Sequence, residues 1–245
     1  MSERIDDLQL NGLKIIQDTD YFCFGLDAVL LANFAKDAVA DRILDFCSGN
    51  GIVPILLSAK TSARRIEGIE IQQRLVSLAR RSAALNDLSN RLFFTCGDIK
   101  QAEQWYEKAS FDTITCNPPY MKCNSGLKNS TDVKTVARHE IHITLEDIIA
   151  VAEQLLKTGG KFFMIHRPER LVDIFYLMRT YHIEPKRLRM VHPAPQKRAN
   201  LVLVEGVRRG RPDLKMMPPL YVYDENGSYT NEINAWYGRR CEIDA

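Results

Sequence analysis

The chain has 245 residues, 45% of them apolar and 26% charged, with a formal net charge of +2. That balance describes one large or two small soluble domains with a sizeable core; it excludes a disordered chain and a strong global field for nucleic acid. The longest apolar runs, such as residues 28–34, fall far short of a membrane span, and Met1-Ser2-Glu3-Arg4 lacks the basic-then-apolar start of a secretory signal, so a cytoplasmic protein without membrane attachment is expected.

Residues 1–40 read as an N-terminal extension in which a single helix opens at Leu26-Asp27. From Arg42 onward strand and helix signals alternate. Residues 42–46 read as a strand, 52–59 as a helix, 65–70 as a second strand, and 72–86 as a helix with Leu75, Leu78 and Ala79 on one face. Residues 92–96 and 111–116 follow as third and fourth strands. A helix over 145–156 is expected to stop at Thr158-Gly159-Gly160, ahead of a fifth strand at 161–166. Residues 186–191 and 199–204 read as an added strand pair that closes a domain spanning 41–207. In the remaining 208–245, residues 220–223 and 228–230 flank Asp224-Glu225-Asn226-Gly227, a hairpin signal in a tail packed on the same domain. Repeated βα units with short connections predict an α/β protein with a Rossmann-like, doubly wound, mostly parallel sheet. The polar stretch 121–143 has no periodicity and the length of a lid or recognition element. The six cysteines (Cys23, Cys47, Cys96, Cys116, Cys123 and Cys241) show no Cys-x-x-Cys spacing, so neither a zinc site nor a disulfide framework is expected.

The fourth strand leads into Asn117-Pro118-Pro119-Tyr120. Two prolines end the strand and stiffen the turn beyond it. An amide, backbone carbonyls and an aromatic ring thereby stand on a rigid rim at a strand's carboxyl end, where ligands sit in open α/β sheets. The cluster suits a flat, neutral nitrogen substrate: acceptors hold an NH2 group while the ring stacks on its π system. The plainer alternative is a Pro-Pro turn that merely ends a strand.

Asp45-Phe46-Cys47-Ser48-Gly49-Asn50-Gly51 occupies the turn from the first strand into the first helix of this repeat, and its glycines let a ligand approach the backbone. A dinucleotide fingerprint requires glycine where Pro54 stands, and no Gly-Lys-Ser/Thr is present, so a cofactor without phosphates is expected. Glu70, ending the second strand, can accept both hydroxyls of a ribose. Asp98, just after the third, can take an adenine amine. Each acid alone would serve equally as a turn or helix cap; their placement at the ends of successive strands favours one shared ligand.

Asp45, Gly49, Gly51, Glu70, Asp98 and Asn117 to Tyr120 together resemble the class I S-adenosylmethionine-dependent methyltransferases, in the Asn-Pro-Pro-Tyr branch with the small methyltransferase domain. The resemblance spans about residues 28–207. It implies the seven-stranded sheet of that class with an antiparallel C-terminal strand, S-adenosylmethionine as cofactor, S-adenosylhomocysteine as product, and no metal. It puts the cofactor on Asp45, Cys47, Gly49, Asn50, Gly51, Glu70, Ile71, Asp98, Ile99 and Asn117. It puts the target amine on Asn117, Pro118, Pro119 and Tyr120. Cys47 departs from the pattern, since many relatives carry glycine there, and this leaves the path of the turn open.

Phe22-Cys23-Phe24-Gly25-Leu26-Asp27 with the apolar residues after it, Arg138-His139-Glu140, and the run from Ala199 to Gly206 further resemble the bacterial tRNA (adenine-N6) methyltransferases that modify the adenine following the anticodon of a valine tRNA. In that family an aromatic and an aspartate cover the methionine end of the cofactor, here Phe24 and Asp27, which would make residues 1–40 a cover for the cofactor site. Arg138, His139, Lys197 and Arg198 are then the expected contacts to tRNA, with catalysis by His139 the less favoured role. The stretch 186–211 holds Lys186, Arg187, Arg189, Lys197, Arg198, Arg208, Arg209 and Arg211 against Glu205 alone, a pattern that suits phosphates but also arises on a solvated surface. Ribosomal RNA guanine, DNA bases and release-factor glutamine remain alternative targets, as does a non-catalytic RNA-binding partner retaining the fold. The short extension argues against the glutamine enzymes, which carry a helical domain there. The chain's length leaves little room for a DNA target-recognition region. Intact Glu70, Asp98 and Asn117 argue against a non-catalytic partner. No obligate protein partner is indicated.

Overall fold

The computed structural model describes residues 2–21, 23–119 and 143–239; Phe22, Tyr120, Cys123, Arg138, His139, Cys241 and the expected lid up to residue 142 lie outside the described residues. The chain opens with an antiparallel hairpin, β1 (Glu3–Asp7) and β2 (Lys14–Asp18), followed by α1 (Leu26–Ala35). The alternating unit then runs β3 (Arg42–Phe46), α2 (Ile52–Lys60), β4 (Arg65–Glu70), α3 (Gln73–Leu85), β5 (Leu92–Cys96), a 3₁₀ turn at Ile99–Gln104, and β6 (Phe111–Cys116). After the undescribed stretch come α4 (Leu145–Leu155), β7 (Leu156–His166), α5 (Leu171–Thr180), β8 (Ile183–His192) and β9 (Leu201–Arg208). Two short strands, β10 (Lys215–Met216) and β11 (Leu220–Tyr221), and α6 (Asn231–Trp236) complete the described chain.

The main sheet has the order β10-β8-β9-β7-β6-β3-β4-β5, with β11 also on β8. The pairs from β7 through β6, β3 and β4 to β5 are parallel, while β9 runs antiparallel between β7 and β8. This is the doubly wound α/β sheet with an antiparallel C-terminal strand. Alternation within β7 shows how the sheet feeds two cores: Phe162 and Met164 pack with Ile148 of α4 and Ile174 of α5, whereas Phe163 and Ile165 pack with Leu30 of α1 and Ile55 of α2. α4 starts from a capping box in which Thr144 Oγ1 accepts the Asp147 N–H at 3.1 Å and Asp147 accepts the Thr144 N–H at 2.9 Å.

Two expectations change. α4 does not run on to the glycines: Leu156 is already extended and opens β7, and residues 157–160 bulge between the pairs Phe111↔Leu156 and Thr113↔Lys161. Gly159 there takes φ +80, and a Cβ on Gly160 would stand 2.8 Å from the Lys157 carbonyl oxygen, so the glycines serve the bulge. The C-terminal hairpin reduces to the bridge Tyr223↔Tyr229 around its turn, because Leu220–Tyr221 pairs with β8 instead. Within the basic stretch 186–211 three arginines are taken up by ion pairs: Arg187 binds Glu205, Arg189 binds Glu232 at 2.6 Å, and Arg208 binds Glu153 at 2.7 Å.

The N-terminal hairpin lies on α3. Ile16 N–H donates to Ser82 Oγ at 3.0 Å, Lys14 N–H to Asn86 Oδ1 at 2.8 Å, and Arg74 bridges Asp18 and Glu3 at 2.7 and 2.6 Å.

Candidate active site

Parallel strands bring their carboxyl ends to one edge, and the order β6-β3-β4-β5 arrays the expected site along it. Asn117 follows β6, the Asp45–Gly51 turn follows β3, Glu70 ends β4, and Asp98 follows β5. With strands spaced about 4.8 Å, the row spans about 15 Å.

The turn after β3 is built from the backbone outward. Cys47 has φ +54, Gly49 φ +56 and Gly51 φ +83, which winds the chain tightly enough for Gly51 N–H to reach the Ser48 carbonyl at 2.9 Å. A Cβ on Gly51 would lie 2.8 Å from the Phe94 ring and 3.0 Å from Ala79, so only glycine lets α2 begin this close to β5 and α3. A Cβ on Gly49 would meet nothing within 4 Å. Glu70 braces the turn: Oε2 accepts the Gly49 N–H and Oε1 the Gln72 N–H, each at 3.0 Å. Each carboxylate oxygen has a second lone pair with which a diol can bond. Buried Asn50 donates to the Ile16 carbonyl at 3.4 Å, tying the turn to β2.

Asp45 sits beneath this turn, 2% exposed. Burial pushes its carboxyl up to about 7, against the Thr115 hydroxyl that donates to it at 2.6 Å. Asp98 caps the 3₁₀ turn by accepting the Lys100 N–H at 2.9 Å, so the capping role is present whatever else the carboxylate does. Ile71, following β4, is exposed, whereas Ile99 is buried in the core.

Asn117 donates from Nδ2 to Asp27 Oδ2 at 3.0 Å, and Asp27 Oδ1 accepts the Ala28 N–H at 3.0 Å. A Cβ on Gly25 would stand 2.9 Å from that carboxylate, so a side chain at position 25 would crowd it. A carboxylate only accepts, which turns the amide's NH2 toward Asp27 and its oxygen to the opposite side. Asp27 therefore meets the target motif itself. Phe24 lines a cavity of about 120 Å³ with Val29, Leu56 and Trp236.

Sequence reasoning passed over His166, which ends β7 on the same edge. The Arg167 N–H donates to its Nδ1 at 2.8 Å, and burial, with the Arg170 charge, pushes the imidazole down to about 4. The ring is thus neutral at physiological pH, with its proton on Nε2. Its place at the end of a strand was the available signal. Lys197 and Arg198 lie exposed in the β8–β9 turn, at the same end of the sheet.

The arrangement fits a cofactor carrying a ribose and no phosphates. An acid braces a glycine turn with open space above Gly49, a second acid stands one strand further, and the turn itself supplies no cation for a phosphate. Residues 24–178 match the methyltransferase small domain family. The chain belongs to that family. It is an S-adenosylmethionine-dependent methyltransferase. Among its relatives is the tRNA1(Val) (adenine(37)-N6)-methyltransferase of Porphyromonas gingivalis, 33% identical over 187 residues that cover 74% of this chain and 72% of the relative. The protein of the same name from Aeromonas hydrophila is 26% identical over 84% of this chain and 85% of its own. A solved structure, that of a predicted O-methyltransferase from Agrobacterium tumefaciens, shares the fold with a TM-score of 0.70 and 23% identity, covering 89% of this chain and all of that one. Among the described residues no helix is long and apolar enough to cross a membrane.

Proposed function

We propose that the protein methylates the exocyclic N6 amine of an adenine in tRNA, the one following the anticodon of a valine tRNA, in the cytoplasm where tRNA circulates. The observation that carries this reading is the Asn117 amide, held by Asp27 at the end of β6 next to the cofactor turn. The activity for which the relatives are named supports the choice of nucleic acid and of base.

The adenine amine is a poor nucleophile because its lone pair is delocalised into the ring. Asn117 Oδ1 and the Pro118 carbonyl accept its two N–H bonds, which favours a more tetrahedral nitrogen and stabilises the positive charge that grows on it. Tyr120 stacks on the extruded base. The bound cofactor supplies an electrophilic methyl group on a sulfonium. Glu70 holds the ribose hydroxyls, Asp98 the adenine amine, and the open face of Gly49 admits the cofactor's close approach. Positioning and aligned acceptors supply the acceleration without a strong base, and the proton leaves to solvent after transfer. His139, Arg138, Lys197 and Arg198 contact the RNA backbone.

The test is methyl transfer from labelled S-adenosylmethionine to separate pools of tRNA, ribosomal RNA, DNA and protein. Label in tRNA, at N6 of the adenine after the anticodon, is expected; label confined to another pool refutes the substrate.

A further inference from the structure

The C-terminal segment carries a stack of aromatic rings that methyl transfer does not use. Tyr223 and Tyr229 pair across their turn with ring centroids 5.1 Å apart and planes at 11°. Tyr229 stacks in turn on Tyr237 at 5.8 Å and 24°, and the Arg239 guanidinium lies 5.1 Å from the Tyr237 ring. The ladder is anchored from behind: α6 is tied to β8 by the Arg189–Glu232 pair, and Arg239 Nε donates to Gln9 Oε1 at 2.8 Å. It ends at Tyr223, which is 39% exposed.

Its position in the fold gives this exposed ring a neighbour. β11 runs parallel to β8, and beyond it Val222 and Tyr223 donate backbone N–H groups to the His192 and Pro193 carbonyls at 2.9 and 2.8 Å. Tyr223 therefore stands past the carboxyl end of β8, at the same end of the sheet as Asn117. Three strand spacings separate β8 from β6, about 15 Å, a span that a few nucleotides bridge. Alongside lies the β8–β9 turn with Lys197 and Arg198 exposed. Neither makes an ion pair among the described residues, whereas Arg187, Arg189 and Arg208 all do.

We propose that the tyrosine ladder is a platform for an unpaired nucleobase of the RNA substrate, with Tyr223 as its contact ring and Lys197 and Arg198 holding phosphates of the same segment. This deepens the reading of the substrate as RNA and rests on it. A ring backed by two others and a cation is already ordered, so a base that stacks on it gains contact area with little loss of side-chain freedom. Stacking tolerates any base, which suits a surface that grips a loop while the Asn117 site selects the adenine. A peptide with acidic residues would use the same two cations but has no need of a flat, preordered ring.

The experiment compares the full chain with Tyr223→Leu, which keeps apolar volume without a π face, and Tyr223→Phe, which keeps the face. Binding is measured by fluorescence anisotropy to a labelled single-stranded oligoribonucleotide, the same strand in a duplex, an anticodon stem-loop of a valine tRNA, and an acidic peptide. Melting temperature and S-adenosylhomocysteine affinity verify the fold of each variant. With both at their wild-type values, Tyr223→Leu is expected to weaken single-strand and stem-loop binding about tenfold, to raise KM for tRNA, and to leave duplex binding unaffected, with Tyr223→Phe restoring affinity. Wild-type affinity in Tyr223→Leu overturns the platform, as does an equal loss on duplex, or peptide binding that alone depends on Tyr223. If the single-strand pattern holds but the wild-type protein methylates no tRNA, the platform stands and the proposed substrate fails.

Discussion

Alanine at Gly51 and at Gly49 should produce different injuries, although both glycines have positive φ. At Gly51, an L-residue held at φ +83 costs about 1–2 kcal/mol in backbone energy. Its Cβ would lie 2.8 Å and 2.9 Å from atoms of the Phe94 ring and 3.0 Å from Ala79, both buried, and overpacking of that kind costs about 1–3 kcal/mol. The two effects together come to about 2–5 kcal/mol. For a chain of this length each kcal/mol moves the melting temperature by about 2–4 °C, so Gly51→Ala should melt roughly 4–20 °C below wild type. Gly49→Ala carries only the backbone penalty, because its Cβ would meet nothing within 4 Å. That Cβ instead fills the open space beside the Glu70 carboxylate, and S-adenosylhomocysteine affinity should fall about tenfold or more, a loss of at least ~1.4 kcal/mol. Calorimetric melts of the free protein and titrations with S-adenosylhomocysteine measure both effects. Melting of Gly51→Ala within about 2 °C of wild type would falsify the packing account, and so would a greater loss of stability in Gly49→Ala.

Asp45 gives a pH signature. Its folded pKa of about 7 against an ordinary 3.8 means the native state keeps a proton that the unfolded chain has released between those values. Stability therefore falls as pH rises through that window and stays lowered above it. Asp45→Asn should remove this slope, improving stability at about pH 8 relative to about pH 4 by up to ~4 kcal/mol; urea titrations that show an unchanged slope would sink the assignment. Asp27→Ala removes a hydrogen bond between a charged group and the Asn117 amide, worth about 1.5–3 kcal/mol, so turnover should drop about 10- to 150-fold. Asp27→Asn keeps an acceptor and should retain more activity than Asp27→Ala; steady-state rates ranking the other way would remove Asp27 from this role. Replacing Lys197 and Arg198 together by alanine should flatten the dependence of log tRNA affinity on log salt by about 2, and an unaltered slope would mean that neither touches phosphate.

Much of the fold was legible because buried parallel strands announce themselves. β3, β4, β5 and β6 fall on the expected residues, since each is short, carries buried apolar or β-branched residues and has clear punctuation on both sides. β1 and β2 were not legible. Glu3–Asp7 is polar and the hairpin is held by Arg74, Arg81 and Ser82 of α3, far along the chain. α5 escaped notice because Val172 and Tyr176 are exposed on its outer face while Ile174 and Met178 face the core, which blurs the helical period. At the site, the row from Asn117 to Asp98 was readable because ligands collect where parallel strands end. The bond from Asn117 to Asp27 joins residues 90 positions apart, and no local pattern encodes it. In the basic stretch the partners of Arg208 and Arg189, Glu153 and Glu232, likewise come from other elements.

The central claim is that the Asn117 amide accepts an adenine amine beside the cofactor turn. Its most direct test is mass-spectrometric mapping of valine tRNA after incubation with S-adenosylmethionine and either the wild-type protein or Asn117→Ala, alongside S-adenosylhomocysteine titrations of both. The account predicts N6-methyladenine after the anticodon with the wild type alone, and a cofactor affinity that changes far less than turnover. An Asn117→Ala protein that still methylates that adenine at more than about a tenth of the wild-type rate, a loss of only ~1.4 kcal/mol, would contradict it.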